Sequence, residues 1–139
     1  MARDLNGVPV EMAPVHSVGS VIYDKFDGNG PKVYQLKQAK VNATASGDNT
    51  VVAAVTGKQI VVVGWDLATK GTITDVKFVD GTGGTDLTGA FTLAAAGALR
   101  WVNRPSDNMP LTAGTVSTLL SVNTSTTQVV NGAVWYILV

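Results

Sequence analysis

At 139 residues the chain is long enough for one domain with its own core, and it has no cysteine, which excludes a disulfide framework and a thiolate zinc site. Ten basic residues cancel ten acidic ones, so the chain lacks the positive field that sequence-independent nucleic-acid binding requires. Charged residues make up only 14% of the chain, against about a quarter in an ordinary soluble domain, and residues 108–139 carry no charge at all. A soluble monomer normally keeps a charged surface and a net charge to avoid association. This chain has neither, which points to a subunit whose surface meets other protein.

Residues 1–31 read as an extended arm. They hold Pro9, Pro14 and Pro31, which remove backbone donors and keep the chain extended, and they contain the only histidine, His16. No apolar core of secretory-signal length is present there, and no stretch of the chain approaches the roughly 20 continuous apolar residues of a membrane-spanning helix. Neither a membrane partner nor a membrane location is therefore expected. Val8, Val10, Met12, Val15, Ile22 and Tyr23 place apolar side chains along the arm, with one short strand near residues 18–23. An arm of this composition is expected to lie on protein, either its own domain or a neighbour. His16 has no acidic partner placed by local spacing and reads as a surface or interface side chain rather than a general base. Asp24-Lys25-Phe26-Asp27-Gly28-Asn29-Gly30 has the texture of a calcium loop. In either glycine register, however, a required ligand position falls on Lys25, and a type I′ turn at Asn29-Gly30 accounts for it better.

Residues 32–139 read as one β domain. Apolar and β-branched runs over 33–44, 50–55, 59–68, 72–79, 86–93, 99–103, 116–123 and 128–139 alternate with Gly, Asn, Asp and Ser signals at spacings of about ten residues. No segment sustains a helical period, and Leu93-Ala94-Ala95-Ala96 is too short to nucleate a helix and reads as a strand end or tight turn. The expected fold is all-β: a jelly-roll or Greek-key β-sandwich of about eight strands behind the N-terminal arm.

Two strands differ from the half-buried pattern of the others. In 59–68, strict alternation puts Ile60 and Val62 on one face and Val61, Val63, Trp65 and Leu67 on the other. In 133–139, Trp135 and Ile137 oppose Val134, Tyr136 and Leu138. A sandwich covers only one face of each sheet, so these strands need a second cover. Three are open: the arm, the 104–114 loop, or another subunit. Trp135 and Tyr136 accordingly join Val8, Val10, Met12, Val15, Ile22 and Tyr23 as candidate interface residues.

Recognisable catalytic chemistry is lacking. Asp80-Gly81-Thr82-Gly83-Gly84-Thr85-Asp86 has neither the lysine nor the following helix of a phosphate loop, since no lysine occurs after Lys77, and it reads as a hairpin loop. Trp65, Trp101 and Trp135 lie inside apolar strands and read as core or interface rings, although exposed tryptophans on a sandwich would suit a carbohydrate-binding module. Arg100 and Arg104 lie close enough in sequence to stack on Trp101 or to pair with Asp107. No enzyme activity, cofactor or metal is expected.

The run from Ala45-Ser46-Gly47-Asp48-Asn49 through Val51-Val52-Ala53-Ala54-Val55-Thr56-Gly57-Lys58-Gln59 to Ile60-Val61-Val62-Val63 resembles the opening hairpin of small structural proteins of tailed bacteriophages. Thr85-Asp86-Leu87-Thr88-Gly89, Leu93-Ala94-Ala95-Ala96-Gly97, the uncharged Val-rich end and Asp4-Leu5-Asn6-Gly7-Val8-Pro9-Val10 are similar in texture. The likeness covers roughly residues 45–139. It implies a capsid decoration, or cement, protein: a virion protein, homotrimeric on the outer surface of an icosahedral head, bound to the major capsid protein and anchored by its N-terminal arm, without direct nucleic-acid contact. A tail-fibre or receptor-binding tip and a carbohydrate-binding module are the rival expectations.

Overall fold

The computed structural model describes residues 19–25, 27–102 and 114–139. Among these residues there is no helix, and the strands are β1 (Ser20–Asp24), β2 (Pro31–Gln35), β3 (Lys37–Ala43), β4 (Gly47–Val52), β5 (Ile60–Thr69), β6 (Thr74–Asp80), β7 (Thr85–Asp86), β8 (Phe91–Leu93), β9 (Ala98–Val102), β10 (Leu120–Thr124) and β11 (Val130–Leu138). The chain is all-β and its described pairings are antiparallel. One sheet runs β3-β11-β5-β9. The other runs β4-β10-β6, and both β7 and β8 pair with β6.

Between the two sheets lies the main core. Val41 and Ala43 of β3, Val52 of β4, Ile60, Val62, Trp65 and Leu67 of β5, Val76 and Phe78 of β6, Leu93 of β8, Leu120 and Val122 of β10 and Val130 and Val134 of β11 form one buried cluster. Burying a side chain of this size fully is worth about 1.5–3 kcal/mol, so this layer is the principal source of stability. Trp65 anchors it, with ring centroids 4.6 Å from Trp101, 4.8 Å from Phe78 and 5.6 Å from Phe91.

Strand β5 departs from the strict alternation expected of it. Trp135 pairs with Gly64 but Tyr136 pairs with Val62, so Val63 is an extra residue with no partner on β11. This bulge reverses the phase of the strand. Ile60 and Val62 before it, and Trp65 and Leu67 after it, all reach the main core, whereas Val61 and Val63 point to the other face. The expected grouping of Trp65 and Leu67 with Val61 and Val63 is thus corrected.

That other face has its own cover at one end. Strands β1 and β2 pair as a separate hairpin, Ser20 opposite Gln35 through Asp24 opposite Pro31. Val21 of this hairpin joins Val61, Val63, Ile137 and Val139 in a second buried cluster, with Tyr23, Tyr34 and Leu36 packed against it. Removal from water raises the Tyr23 hydroxyl pKa above its usual value, with smaller contributions from Tyr34 and Asp24. The hairpin straddles residue 31, so β1 and β2 fold together on the sandwich. Between the two strands, among the described residues, Gly28 and Gly30 take positive φ while Asn29 does not, and the Asn29 N–H donates to Asp27 Oδ1 at 3.0 Å. A two-residue type I′ turn would need positive φ at Asn29, so the longer loop replaces that expectation.

Elsewhere the turn signals shift strand ends. The run 33–44 is divided at Leu36, whose N–H donates to the Gly19 carbonyl, into β2 and β3. Gly47-Asp48-Asn49, expected as a turn, opens β4, and residues 116–119 precede β10. Ala94–Gly97 forms a tight turn as expected, closed by the Gly97 N–H on the Ala94 carbonyl at 2.8 Å, with Ala96 at φ 55°. Residues 81–84 form the expected hairpin loop between Asp80 and Thr85.

Asp48 ties this loop to β10 by accepting from Asn123 Nδ2 and from the Gly83 N–H, each at 2.5 Å. Those bonds, the Asn123 amide foremost, hold its carboxyl below the usual carboxylate pKa. A carboxylate depressed in the folded state adds stability that is present above its unfolded pKa, about 3.9, and is lost as pH falls through the folded value. Below about pH 4 the melting temperature of the wild type should therefore fall more steeply than that of Asp48→Asn. Parallel profiles would show that the Asp48 bonds contribute nothing.

Candidate interaction face

The outer face of the β3-β11-β5-β9 sheet is the place where the described residues gather unusual side chains. Strand register lays them out in rows. Gln38, Trp135 and Gly64 form one row; Lys40, Ala133, Asp66 and Arg100 form the next; Asn42, Asn131, Ala68 and Ala98 form a third. At one end the β1–β2 hairpin covers the face. Beside it no other described residue covers the face, and Leu36, Val63, Gly64, Arg100 and Trp135 line a largely apolar recess of about 380 Å³. A shallower groove of about 340 Å³ continues from it, sharing Trp135 and Arg100 and adding Gln38, Asp66 and Asn131 to its lining.

Trp135 is half-buried at the junction of the two hollows. Arg100 Nη2 donates to Asp66 Oδ2 at 3.1 Å across the β5–β9 pair. Their side chains are 72% and 41% exposed, so the pair adds little stability and both groups remain within reach of a partner. Arg100 and Trp101 are adjacent in β9 and face opposite ways: Arg100 lines the outer hollows and Trp101 packs against the main core. Arg100 therefore pairs with Asp66, not with the Trp101 ring. Arg104 and Asp107 lie outside the described residues, and no group of three or more His, Cys, Asp or Glu able to hold a metal occurs among the described ones.

The expected interface residues separate. Ile22 is 40% exposed on the outer side of the hairpin, directly opposite Val33 at 52%. Tyr23 points the other way, onto the second cluster, at 6.3 Å from Tyr34. Trp135 faces outward, whereas its neighbour Tyr136 packs onto the main core. Val8, Val10, Met12, Val15 and His16 lie outside the described residues. Sequence reasoning missed Leu36, Gln38, Asp66 and the role of Arg100, because they meet only through the register of three strand pairs far apart in the chain.

No family model matches the chain, and no curated protein and no solved structure matches it either.

Proposed function

We propose that this chain is a structural virion protein: a decoration subunit, homotrimeric, that seats on the outside of an icosahedral phage head and contacts the major capsid protein. The observation that carries this reading is the outer sheet face, where a half-buried tryptophan and an apolar recess stand open beside a hairpin with an outward Ile22–Val33 pair. Such apolar surface, in a chain with 14% charged residues, is suited to contact with protein. The strand order supports a jelly-roll reading of the sandwich: β3-β11-β5-β9 makes one sheet, and β4-β10-β6, with β8 paired to β6, makes the other, an arrangement suited to a viral shell protein. Purified chain mixed with particles depleted of it should cosediment and saturate; absence of cosedimentation contradicts the proposal.

The arm is the proposed anchor. Deleting residues 1–18 leaves the β1–β2 pairing and both sheets in place, so the far-UV circular dichroism should be unchanged while attachment to the shell is lost. Full occupancy by the truncated chain would contradict the anchoring role.

One observation favours a second reading. The ring of Trp135, with Gln38, Asp66, Arg100 and Asn131 around it, offers an aromatic platform and planar hydrogen-bonding groups suited to a sugar. Saturable quenching of tryptophan emission by an oligosaccharide, lost in Trp135→Ala, would establish carbohydrate binding; a flat titration across neutral and acidic oligosaccharides would remove it.

A further inference from the structure

We infer that in the free chain, whatever it later binds, the recess beside Trp135 is the seat of residues 8–15 of the same molecule. The described residues begin at the recess wall: the Gly19 carbonyl accepts the Leu36 N–H, and Leu36 lines the recess. Lys37 follows opposite Tyr136, and the groove runs on from Trp135 past Ala133 to Asn131. Tyr136 to Asn131 is a distance of about 17 Å along β11. Residues 8–18 span up to about 36 Å when extended, so the segment is long enough to fill the recess and the groove from this origin.

The chemistry matches. The recess is largely apolar, and Val8, Val10, Met12 and Val15 are side chains that need cover. Pro9 and Pro14 favour an extended segment and carry no backbone N–H that a seat on a sheet face would have to satisfy. Alternation in an extended chain turns Val8, Val10 and Met12 to one side. Charge agrees as well. Among the described residues of the uncovered part, exposed Lys40 and Arg100 share a row with the single carboxylate of Asp66, which leaves that part net positive. The one charge within residues 8–15 is the carboxylate of Glu11. Groups this close lie inside the Debye length of ~8 Å, so their attraction survives physiological salt. A tethered segment also needs little intrinsic affinity, because a short tether holds it at an effective concentration of about the millimolar range. An arm that leaves this seat for the shell uncovers the recess too, so the seat and the anchoring role are compatible.

The test is disulfide trapping in the full-length chain, which has no cysteine of its own. One cysteine replaces Ala133, in the groove lining, and the other replaces Val8, Val10 or Met12 in turn. Val33→Cys is the control partner: it is exposed on the outer side of the β1–β2 hairpin and about 10 Å along β2 from Leu36, comparably close to the origin of the segment. The expected result is an intrachain disulfide to Ala133→Cys in at least one of the three pairs. It should form at least tenfold faster than the disulfide between the same arm cysteine and Val33→Cys, and Glu11→Lys should slow it severalfold. Equal rates to the two partners in all three pairs, or rates indifferent to Glu11→Lys, would mean that the segment merely samples the surface, and would overturn the inference. Disulfide-linked dimers in place of the intrachain product overturn it by placing the segment on a neighbouring copy, and the absence of any disulfide to Ala133→Cys overturns it outright. None of these outcomes decides whether the chain cosediments with particles, so failure here is distinguishable from failure of the head-binding proposal.

Discussion

Trp65→Ala should lower the unfolding free energy by about 3–5 kcal/mol, the range for removing a large aromatic from a packed core. Trp65 is 4% exposed and its ring touches those of Phe78, Phe91 and Trp101, so alanine leaves a void bordered by three aromatic side chains from three other strands. Relaxation into that void is limited, because β5 is held on one side by β11 and on the other by β9. The indole Nε1 has no hydrogen-bond partner among the described residues, and an unpaired buried donor costs about 1–3 kcal/mol. Trp65→Phe, which removes that donor and keeps most of the ring area, should therefore cost much less than Trp65→Ala. Urea unfolding of both variants checks the pair. Equal losses would mean that the indole N–H is satisfied in solution, and a Trp65→Ala loss under 1 kcal/mol would contradict the core assignment.

Gly132→Ala should be at least as damaging, by a different route. Gly132 lies in β11 at φ 154°, where a Cβ would overlap the Asp66 carbonyl oxygen and stand 3.0 Å from the Leu67 Cα. Both obstacles are backbone, so no side chain can swing away. The methyl group has to force β11 from β5, the central pair of the sheet that carries Trp135. A loss of more than about 3 kcal/mol, or failure to accumulate as soluble protein, is expected from backbone strain of this kind. Gly89 provides the control: no atom lies within 4 Å of its ideal Cβ and its φ is ordinary. Gly89→Ala should stay within about 0.5 kcal/mol of the wild type. Equal stability of the two variants, measured by thermal and denaturant unfolding, would contradict the close approach of β11 to β5.

Much of this architecture was legible from local signals. Period-two patterning and turn residues identify an all-β chain, and alternation alone separates Trp135 from Tyr136 onto the correct opposite faces. The need for a second cover over β5 and β11 was also legible, because Val61, Val63 and Ile137 leave no polar face on those strands. What supplies the cover was not. The β1–β2 hairpin forms from residues on both sides of Pro31, and its docking depends on Val21, Tyr23 and Tyr34 meeting strands far along the chain. The bulge at Val63 was invisible for a related reason. A one-residue insertion leaves no mark in an apolar run, since Val62, Val63 and Trp65 are acceptable on either face, and only the pairing with β11 exposes it. The Asp66–Arg100 pair and the groove beside Trp135 likewise exist only through the β5–β9 register.

The central claim, that the chain is a head decoration subunit, is tested most directly by quantitative mass spectrometry of purified particles from its source, scaled to the major shell protein. A copy number comparable to that of the shell protein is the expected result. A handful of copies per particle would contradict it by moving the chain to the tail, and complete absence would contradict a virion role altogether.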